Sequence, residues 1–150
     1  MSGYGCNIGI YALKAFYKIK NRKYIMKINI IGGSGFIGTS LSKIFHKKNL
    51  AFTILDKVTG ASFPDKTINL DIRSLDDLRS SIDINAVLIN LAAEHRDDVS
   101  PKSLYDEVNV EGARNICAIA NEMAVTKIIF TSSVAVYGFA PIGTNELGVI

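Results

Sequence analysis

From Lys27 to Ser132, short segments rich in apolar residues alternate with segments whose apolar residues recur every three or four positions. A short apolar run between polar residues, as at 51–56, predicts a strand that is buried on both faces. The other predicted strands lie at 27–31, 67–70, 86–91 and 127–132. The alternation predicts an α/β fold in which a parallel sheet carries helices on both faces.

Three segments between these strands have the periodicity of helices. Residues 35–48 form the first, and its predicted apolar face consists of Ile37, Leu41, Ile44 and Phe45. Ser74 predicts the N-cap of a second helix, which continues to Ile82. A third, longer helix is predicted over 104–124 from the spacing of its apolar residues.

The net charge of +3 is unevenly distributed along the chain. Residues 1–25 hold five Lys and Arg residues and no acidic residue, so twelve basic and fourteen acidic residues leave 26–150 at about −2. We therefore expect no nucleic-acid partner. Residues 1–25 are predicted to be a basic extension that is disordered or weakly helical. As an alternative, this segment could form an amphipathic helix that lies on an anionic surface. Lys14 and Lys18 interrupt its apolar run, so no membrane span is predicted.

Two cysteines, Cys6 and Cys117, are too few for a disulfide framework. Cys117 lies in an apolar run and is predicted to be a buried thiol. No cluster of cysteine and histidine has the spacing of metal ligands, so no metal site is predicted. Cysteine usage favours a cytoplasmic location.

A glycine-rich loop of the pattern G-x-x-G-x-x-G joins the first strand to the first helix. Gly32 permits the tight turn, and Gly35 lets the backbone approach a phosphate. Gly38 lets the helix pack closely on the strand. The helix begins with Phe36 and Ile37, whose unpaired N–H groups favour an anion. Because ordinary turns also use glycine, the loop alone is a weak signal.

Asp56 ends the second predicted strand, 18 residues after Gly38. In dinucleotide-binding folds, a carboxylate about 20 residues after the glycine-rich loop binds the ribose hydroxyls of adenosine. The same carboxylate repels a 2′-phosphate, so we expect NAD in preference to NADP. The neighbouring Lys57 could partly accommodate that phosphate, so binding of NADP stays open. As an alternative, Asp56 could be an ordinary turn or capping residue.

Further segments at 71–73, 90–95, 109–112 and 131–138 follow the glycine loop in order, each in its own strand, helix or loop. Together they resemble the extended short-chain dehydrogenases/reductases, the family of NAD-dependent epimerases and dehydratases. The resemblance runs from Met26 to about Gly138. It implies a Rossmann-type doubly wound parallel sheet over 26–150, truncated after about the fifth strand. It also implies NAD as cofactor and a nucleotide sugar as substrate.

The resemblance assigns residues to the two ends of a cofactor. Asp71 and Ile72 would border the adenine ring, although Asp71 could instead cap the following helix. Leu91, Ala92 and Ala93 would let the cofactor and the backbone lie together at the end of the fourth strand.

Other residues would act near the substrate. The resemblance also places Asn109 among the cofactor-binding residues, where it would orient a water or a backbone group behind the active site. The alternative is that its amide has a purely structural role. Ser133 is implied to contact the reacting sugar hydroxyl or ketone and is the predicted catalytic residue, with Ser132 as the fallback. Tyr137 lies on the loop after the strand and is not the family's catalytic tyrosine.

The segment 94–98 is dense in ionisable side chains and directly follows the fourth strand. Histidine is a residue type that can transfer protons near neutral pH. The sequence leaves two interpretations open for His95, a contact with the substrate and a solvated loop residue.

The chain departs from the family at its catalytic pair. No tyrosine is followed by a lysine four positions later, so we expect cofactor binding with little turnover. An incomplete domain is expected, with 128–130 partly uncovered. The alternatives are a non-catalytic redox-sensing module and an NAD(P)-dependent reductase of a ketone or nucleotide-sugar ketone. A homodimer is expected for a full-length member.

Overall fold

The structure, a computed structural model, describes residues 26–139, 141–145 and 147–148, with only the backbone described at Val134 and Ala135. The predictions for residues 1–25 fall outside these ranges. Within the described residues, no helix has the length and apolar character needed to cross a membrane.

Five strands pair in parallel to form one sheet in the order β3-β2-β1-β4-β5. They are β1 (Ile28–Ile31), β2 (Phe52–Asp56), β3 (Thr67–Asn69), β4 (Val87–Asn90) and β5 (Lys127–Phe130). The order reverses at the central β1, and ligands of such sheets bind in the crevice beyond the carboxyl ends there. The predicted Rossmann-type doubly wound sheet is confirmed.

In the part of the chain that the structure describes, three helices cover the sheet: α1 (Phe36–Lys47), α2 (Leu75–Ser81) and α3 (Gly112–Glu122). A π-helical turn, Asp106–Glu111, directly precedes α3, and short 3-10 turns occupy Pro64–Lys66 and Val134–Tyr137. The predicted N-cap is confirmed, because the Ser74 hydroxyl accepts a hydrogen bond from the N–H of Asp77.

Two apolar clusters, one on each face of the sheet, form the core. On one face, α1 packs through Leu41 and Phe45 against a cluster formed by Ile28, Ile30, Phe52, Ile54 and Ile89. On the other face, Leu78 of α2 and Ile116 and Ile119 of α3 pack with residues that include Ile31, Leu55, Leu70 and Leu88. The alternation along β1 explains both clusters, since successive side chains of a strand point to opposite faces.

Two residues predicted to face the sheet from α1 do not. Ile37 and Ile44 are 58% and 51% exposed, whereas Gly38 and Ser42 are the buried residues of this helix. A Cβ on Gly38 would lie 2.4 Å from the backbone of Gly33. The helix therefore approaches the loop through its glycine side, and this orientation turns Ile37 and Ile44 outward.

The third helix also differs from its prediction. The segment 104–124 is not one regular α-helix, because its middle forms the π-helical turn Asp106–Glu111. Directly after this turn, a Cβ on Gly112 would lie 2.6 Å from the Ile72 side chain. Such turns interrupt helices frequently at functional sites.

Cys117 was predicted to be buried, and this prediction is wrong. Ile116 and Ile119 face the core from α3, while Cys117 is exposed on the opposite side. Successive residues of a helix are separated by about 100° around its axis, so a residue next to a core position can point into solvent.

The last strand is poorly covered, as the sequence predicts. Ile128, Ile129 and Phe130 are 41%, 44% and 64% exposed. Among the described strands β5 is also an edge of the sheet, and an edge strand presents backbone groups that can pair with another chain.

Candidate functional site

A cleft of about 380 Å³ opens beyond the carboxyl ends of β1, β2 and β4. It is lined by the glycine loop, the ends of β2 and β4, the segment after β3 and the turn before α3. Its lining includes the predicted residues Gly32, Gly35, Asp56, Asp71, Ile72, Leu91, Ala92 and Ala93. The structure thus brings the two predicted ends of the cofactor site into one cleft.

The glycine loop forms the floor of this cleft. Gly32 has φ +72, and a Cβ there would lie 2.6 Å from the N of Ala92, so the turn requires glycine. Gly35 has φ −70 and ψ −179, an extended conformation open to any residue. A Cβ on Gly35 would meet only the Gly32 oxygen, at 3.5 Å. The backbone conformation does not require glycine at position 35, so we infer that the missing side chain leaves space in the cleft.

The start of α1 suits an anion. The helix has no side-chain cap and no acidic residue in its first turn. Its first N–H groups, next to Gly35 at the floor of the cleft, therefore have no capping carboxylate in the first turn of the helix. A pyrophosphate fits the open floor at Gly35 and the positive end of this helix dipole.

Asp56 is held in place by the backbone around it. Its Oδ2 accepts a hydrogen bond from the Ser34 N–H at 2.9 Å, and its Oδ1 accepts one from the Val58 N–H at 3.1 Å. The Gly60 N–H donates to the Ser34 hydroxyl at 3.2 Å. These bonds join the loop after β2 to the glycine loop and fix the carboxylate at the cleft wall.

On the other side of β2, Asp71 belongs to an ion-pair network. The Arg73 guanidinium donates to both carboxylate oxygens of Asp71 and to Glu107. Hydrogen bonding from the Arg73 side chain is the main cause that lowers the pKa of Asp71. Asp71 Oδ1 also accepts from the Arg73 N–H, and its carbonyl accepts from the Ser74 N–H, so Asp71 takes part in the turn before α2, whereas the N-cap of that helix is Ser74 and not Asp71.

The segment after β4 is fixed by side chains from the third helical region. The Asn109 amide pairs with the N–H and the C=O of Glu94 at 2.7 and 2.9 Å. The Tyr105 hydroxyl donates to the Arg96 carbonyl at 2.6 Å. The Glu94 side chain is only 12% exposed, and its Oε2 lies 4.0 Å from the Lys57 ammonium, which comes from the β2 side of the cleft.

Five predicted site residues are not among those lining the cleft: Phe36, Ile37, Gly38, Asn109 and Ser133. The first three form the start of α1, where the backbone rather than the side chain would meet a phosphate, and Phe36 is 90% exposed. Ser133 follows β5 and is exposed. Asn109 hydrogen-bonds the backbone of Glu94, which lines the cleft.

Sequence reasoning missed three residues of the site. Ser34 and Gly60 line the cleft and join the two loops beside Asp56, and Asn115, outside the lining, donates from its amide to the carbonyls of Ile72 and Arg73, which line the cleft. Ser34 lies inside the glycine motif, and its hydroxyl there was a signal from which a role could have been predicted. Gly60 and Asn115 carried no such signal, because their partners are 26 and 43 residues away along the chain.

Metal chemistry has no support in the part of the chain that the structure describes. No group of three histidine, cysteine, aspartate or glutamate residues there is arranged to hold a metal ion. His95 lines the cleft and stays a candidate for contact with a substrate.

Comparison with known proteins places these features in context. Residues 28–147 match the NAD dependent epimerase/dehydratase family. An undecaprenol-linked sugar epimerase of Escherichia coli O157:H7, named N-acetyl-alpha-D-glucosaminyl-diphospho-ditrans,octacis-undecaprenol 4-epimerase, is 46% identical over 113 residues, which are 73% of this chain and 33% of that protein. The UDP-glucose 4-epimerase of Vibrio cholerae is 30% identical over 125 residues, 79% of this chain and 38% of its own.

The fold has close counterparts among solved structures. The UDP-glucose 4-epimerase of Thermus thermophilus, solved as a complex with NAD, superposes with a TM-score of 0.69 at 24% identity, covering 79% of this chain and 42% of that one. The chain spans about a third of the length of the curated relatives that it matches.

Proposed function

Because this chain belongs to the NAD-dependent epimerase/dehydratase family, we propose that it forms the NAD-binding part of an enzyme that epimerises or dehydrates a nucleotide sugar. One observation carries the proposal. The glycine loop, Asp56 and the segment after β4 meet in a single cleft at the switch point of the sheet, where dinucleotides bind in this fold.

The residues at this cleft suit the parts of a dinucleotide. Backbone N–H groups at Phe36 and Ile37 would hold the pyrophosphate above the open position at Gly35, with Gly32 and Gly38 shaping the loop. Asp56 would accept hydrogen bonds from the adenosine ribose hydroxyls. Bound NAD would supply a hydride acceptor for oxidation of a sugar carbon and a hydride donor for its reduction.

The remaining residues would complete the two ends of the site. Asp71 and Ile72 would border the adenine, and Leu91, Ala92 and Ala93 would form an apolar wall along the cofactor. Ser133, placed after β5, would hydrogen-bond the reacting sugar hydroxyl.

We also propose that the 150-residue chain turns over little or no substrate. Its six tyrosines include none with a lysine four positions later, and a missing general base typically costs ~10²–10⁴-fold in rate. Incubation with NAD and UDP-glucose or UDP-N-acetylglucosamine is expected to give no epimer detectable by chromatography. The cytoplasmic location and the homodimer expected from the sequence stay predictions.

A second substrate class is favoured by one comparison. The relative that is 46% identical acts, by its name, on N-acetylglucosamine linked to undecaprenol through a diphosphate. Both classes present a hexose on a diphosphate, so the cofactor cleft alone does not discriminate between them. Saturation-transfer NMR of the chain with NAD would compare UDP-N-acetylglucosamine with a short-chain prenyl diphosphate analogue, and stronger transfer to the prenyl compound would favour the lipid-linked class.

Calorimetric titration of the chain with NAD tests the proposal. Saturable binding that ADP-ribose competes for is expected, because ADP-ribose retains the ribose and pyrophosphate that contact Asp56 and the glycine loop. Absence of saturable heat from a chain shown to be folded by circular dichroism would contradict the NAD site.

A further inference from the structure

We propose that Ser34 is a specificity-determining residue, which closes the ribose corner of the cleft against a 2′-phosphate by fastening the loop after β2 to the glycine loop. The inference rests on the proposed NAD site and deepens it. It assigns the choice between the two dinucleotides to a hydroxyl in addition to the carboxylate of Asp56.

Ser34 is bonded through every polar group that it has. Its N–H donates to Asp56 Oδ2 at 2.9 Å, and its carbonyl accepts from the Thr39 hydroxyl at 3.2 Å. Its own hydroxyl accepts from the Gly60 N–H at 3.2 Å. The residue thus joins three segments, which are the glycine loop, the first turns of α1 and the loop after β2.

The closure leaves little space between the two loops. A Cβ on Gly60 would lie 3.2 Å from the Cβ of Ser34 and 3.3 Å from its Oγ. The backbone at Gly60 therefore lies in contact with the serine, and a bulky phosphate cannot enter between them unless the loop moves away.

Asp56 is immobilised by the same closure. Its two carboxylate oxygens accept hydrogen bonds from the N–H groups of Ser34 and Val58. Rotating this side chain away from a 2′-phosphate would break both bonds. The carboxylate consequently stays where it pairs with ribose hydroxyls and repels a phosphate.

The lysine and the arginine among the residues lining the described cleft are both paired with carboxylates. The Lys57 ammonium lies 4.0 Å from Glu94 at the β4 side, and the Arg73 guanidinium binds Asp71 and Glu107. NADP-specific sites of this fold place a cation at the 2′-phosphate. Here the adjacent Lys57 is directed across the cleft towards Glu94, so it offers little compensation for a phosphate at Asp56.

The test compares Kd for NAD and for NADP in the 150-residue chain and in Ser34→Ala, by calorimetry at low protein concentration. Loss of the hydroxyl leaves the Gly60 N–H without its acceptor and loosens the loop. One hydrogen bond corresponds to about a three- to tenfold change in affinity. We expect the ratio of Kd for NADP to Kd for NAD to fall by that factor. Ser40→Ala, the same change at an exposed position of α1, should leave the ratio unchanged.

Gly60→Ala provides a second route to the same outcome if Ser34→Ala does not fold. The added methyl group pushes the loop away from Ser34, so the ratio should fall in this variant too. A ratio that stays unchanged in a folded variant that still binds NAD would overturn the inference alone. Failure of the unsubstituted chain to bind either dinucleotide would overturn the proposed function and this inference together.

Discussion

The side-chain amide of Asn109 forms two hydrogen bonds with the backbone of Glu94, 15 residues earlier in the chain. Its Oδ1 accepts from the Glu94 N–H at 2.7 Å, and its Nδ2 donates to the Glu94 carbonyl at 2.9 Å. One side chain thus satisfies both backbone groups of a residue that lines the cleft. We propose that Asn109 is a positioning residue, which holds the segment after β4 in place along the cofactor.

Replacement of Asn109 by alanine should loosen this segment without unfolding the domain. Two hydrogen bonds are lost, but water can reach the exposed Asn109 position, so we expect a loss of about 1 kcal/mol in the free energy of unfolding. Hydrogen exchange at the Glu94 amide should become faster, and NAD should bind more weakly. Asn121→Ala, at an exposed position near the end of α3, is the matched control. Unchanged exchange at Glu94 in Asn109→Ala would contradict the positioning role.

Replacement of Asp56 by asparagine should weaken the preference for NAD. The amide oxygen can still accept one backbone N–H, whereas the negative charge that repels a 2′-phosphate is removed. Paired titrations with NAD and NADP check this prediction. We expect the two dissociation constants to approach each other, mainly through weaker NAD binding. A preference as strong as that of the parent chain would show that Asp56 does not contact the ribose.

The ion pair between Asp71 and Arg73 predicts a dependence of stability on acid pH. The lowered pKa of Asp71, caused mainly by hydrogen bonding from Arg73, means that the folded state binds this proton less readily than the unfolded state. The contribution of the ionised Asp71 to the free energy of unfolding is therefore complete above the ordinary pKa of aspartate, about 4. It is lost as the pH falls through the lower pKa of Asp71 in the folded state.

Asp71→Asn should accordingly be less stable than the parent at about pH 7, and the difference should disappear at about pH 2. We expect a difference below about 1 kcal/mol, because Arg73 is 43% exposed in the pair. Urea unfolding at both pH values measures it. Asp65→Asn removes the same charge at an exposed position outside this network and serves as the control. An equal difference at both pH values would exclude the ion pair as its cause.

The uncovered β5 should make the isolated chain associate with itself. Phe130 is 64% exposed on an edge strand, and such edges promote association. We expect Phe130→Lys to reduce the sedimentation coefficient at high protein concentration. Phe139→Lys changes a fully exposed phenylalanine away from the strand and should have a smaller effect. A parent chain that is monomeric at all concentrations would contradict this prediction.

The sequence predicted the strands and the glycine loop because these depend on local patterns. Short segments rich in apolar residues located β1 to β5, and the glycine spacing located the floor of the cleft. The orientation of α1 was not predictable in the same way, since Ile37 and Ile44 are apolar but the approach of Gly38 to Gly33 decides which side meets the sheet.

Contacts between distant segments were the other part that the pattern could not show. The bond between Ser34 and Gly60 joins residues 26 positions apart, and it exists only because β1 and β2 are neighbours in the sheet. The π-helical turn before α3 likewise has no marker in the apolar spacing of 104–124.

The most direct test of the central claim, that the glycine loop holds the pyrophosphate of NAD, is a calorimetric titration of Gly35→Val with NAD. Gly35 has an extended backbone and a Cβ position open to the cleft, so valine should be tolerated by the fold while its side chain occupies the phosphate position. Ser40→Val, on the exposed side of α1, controls for the introduction of a β-branched residue near the start of this helix. The account predicts that both variants fold by circular dichroism, that Ser40→Val binds NAD like the parent, and that Gly35→Val shows no saturable binding. Unchanged affinity for NAD in a folded Gly35→Val variant would contradict it.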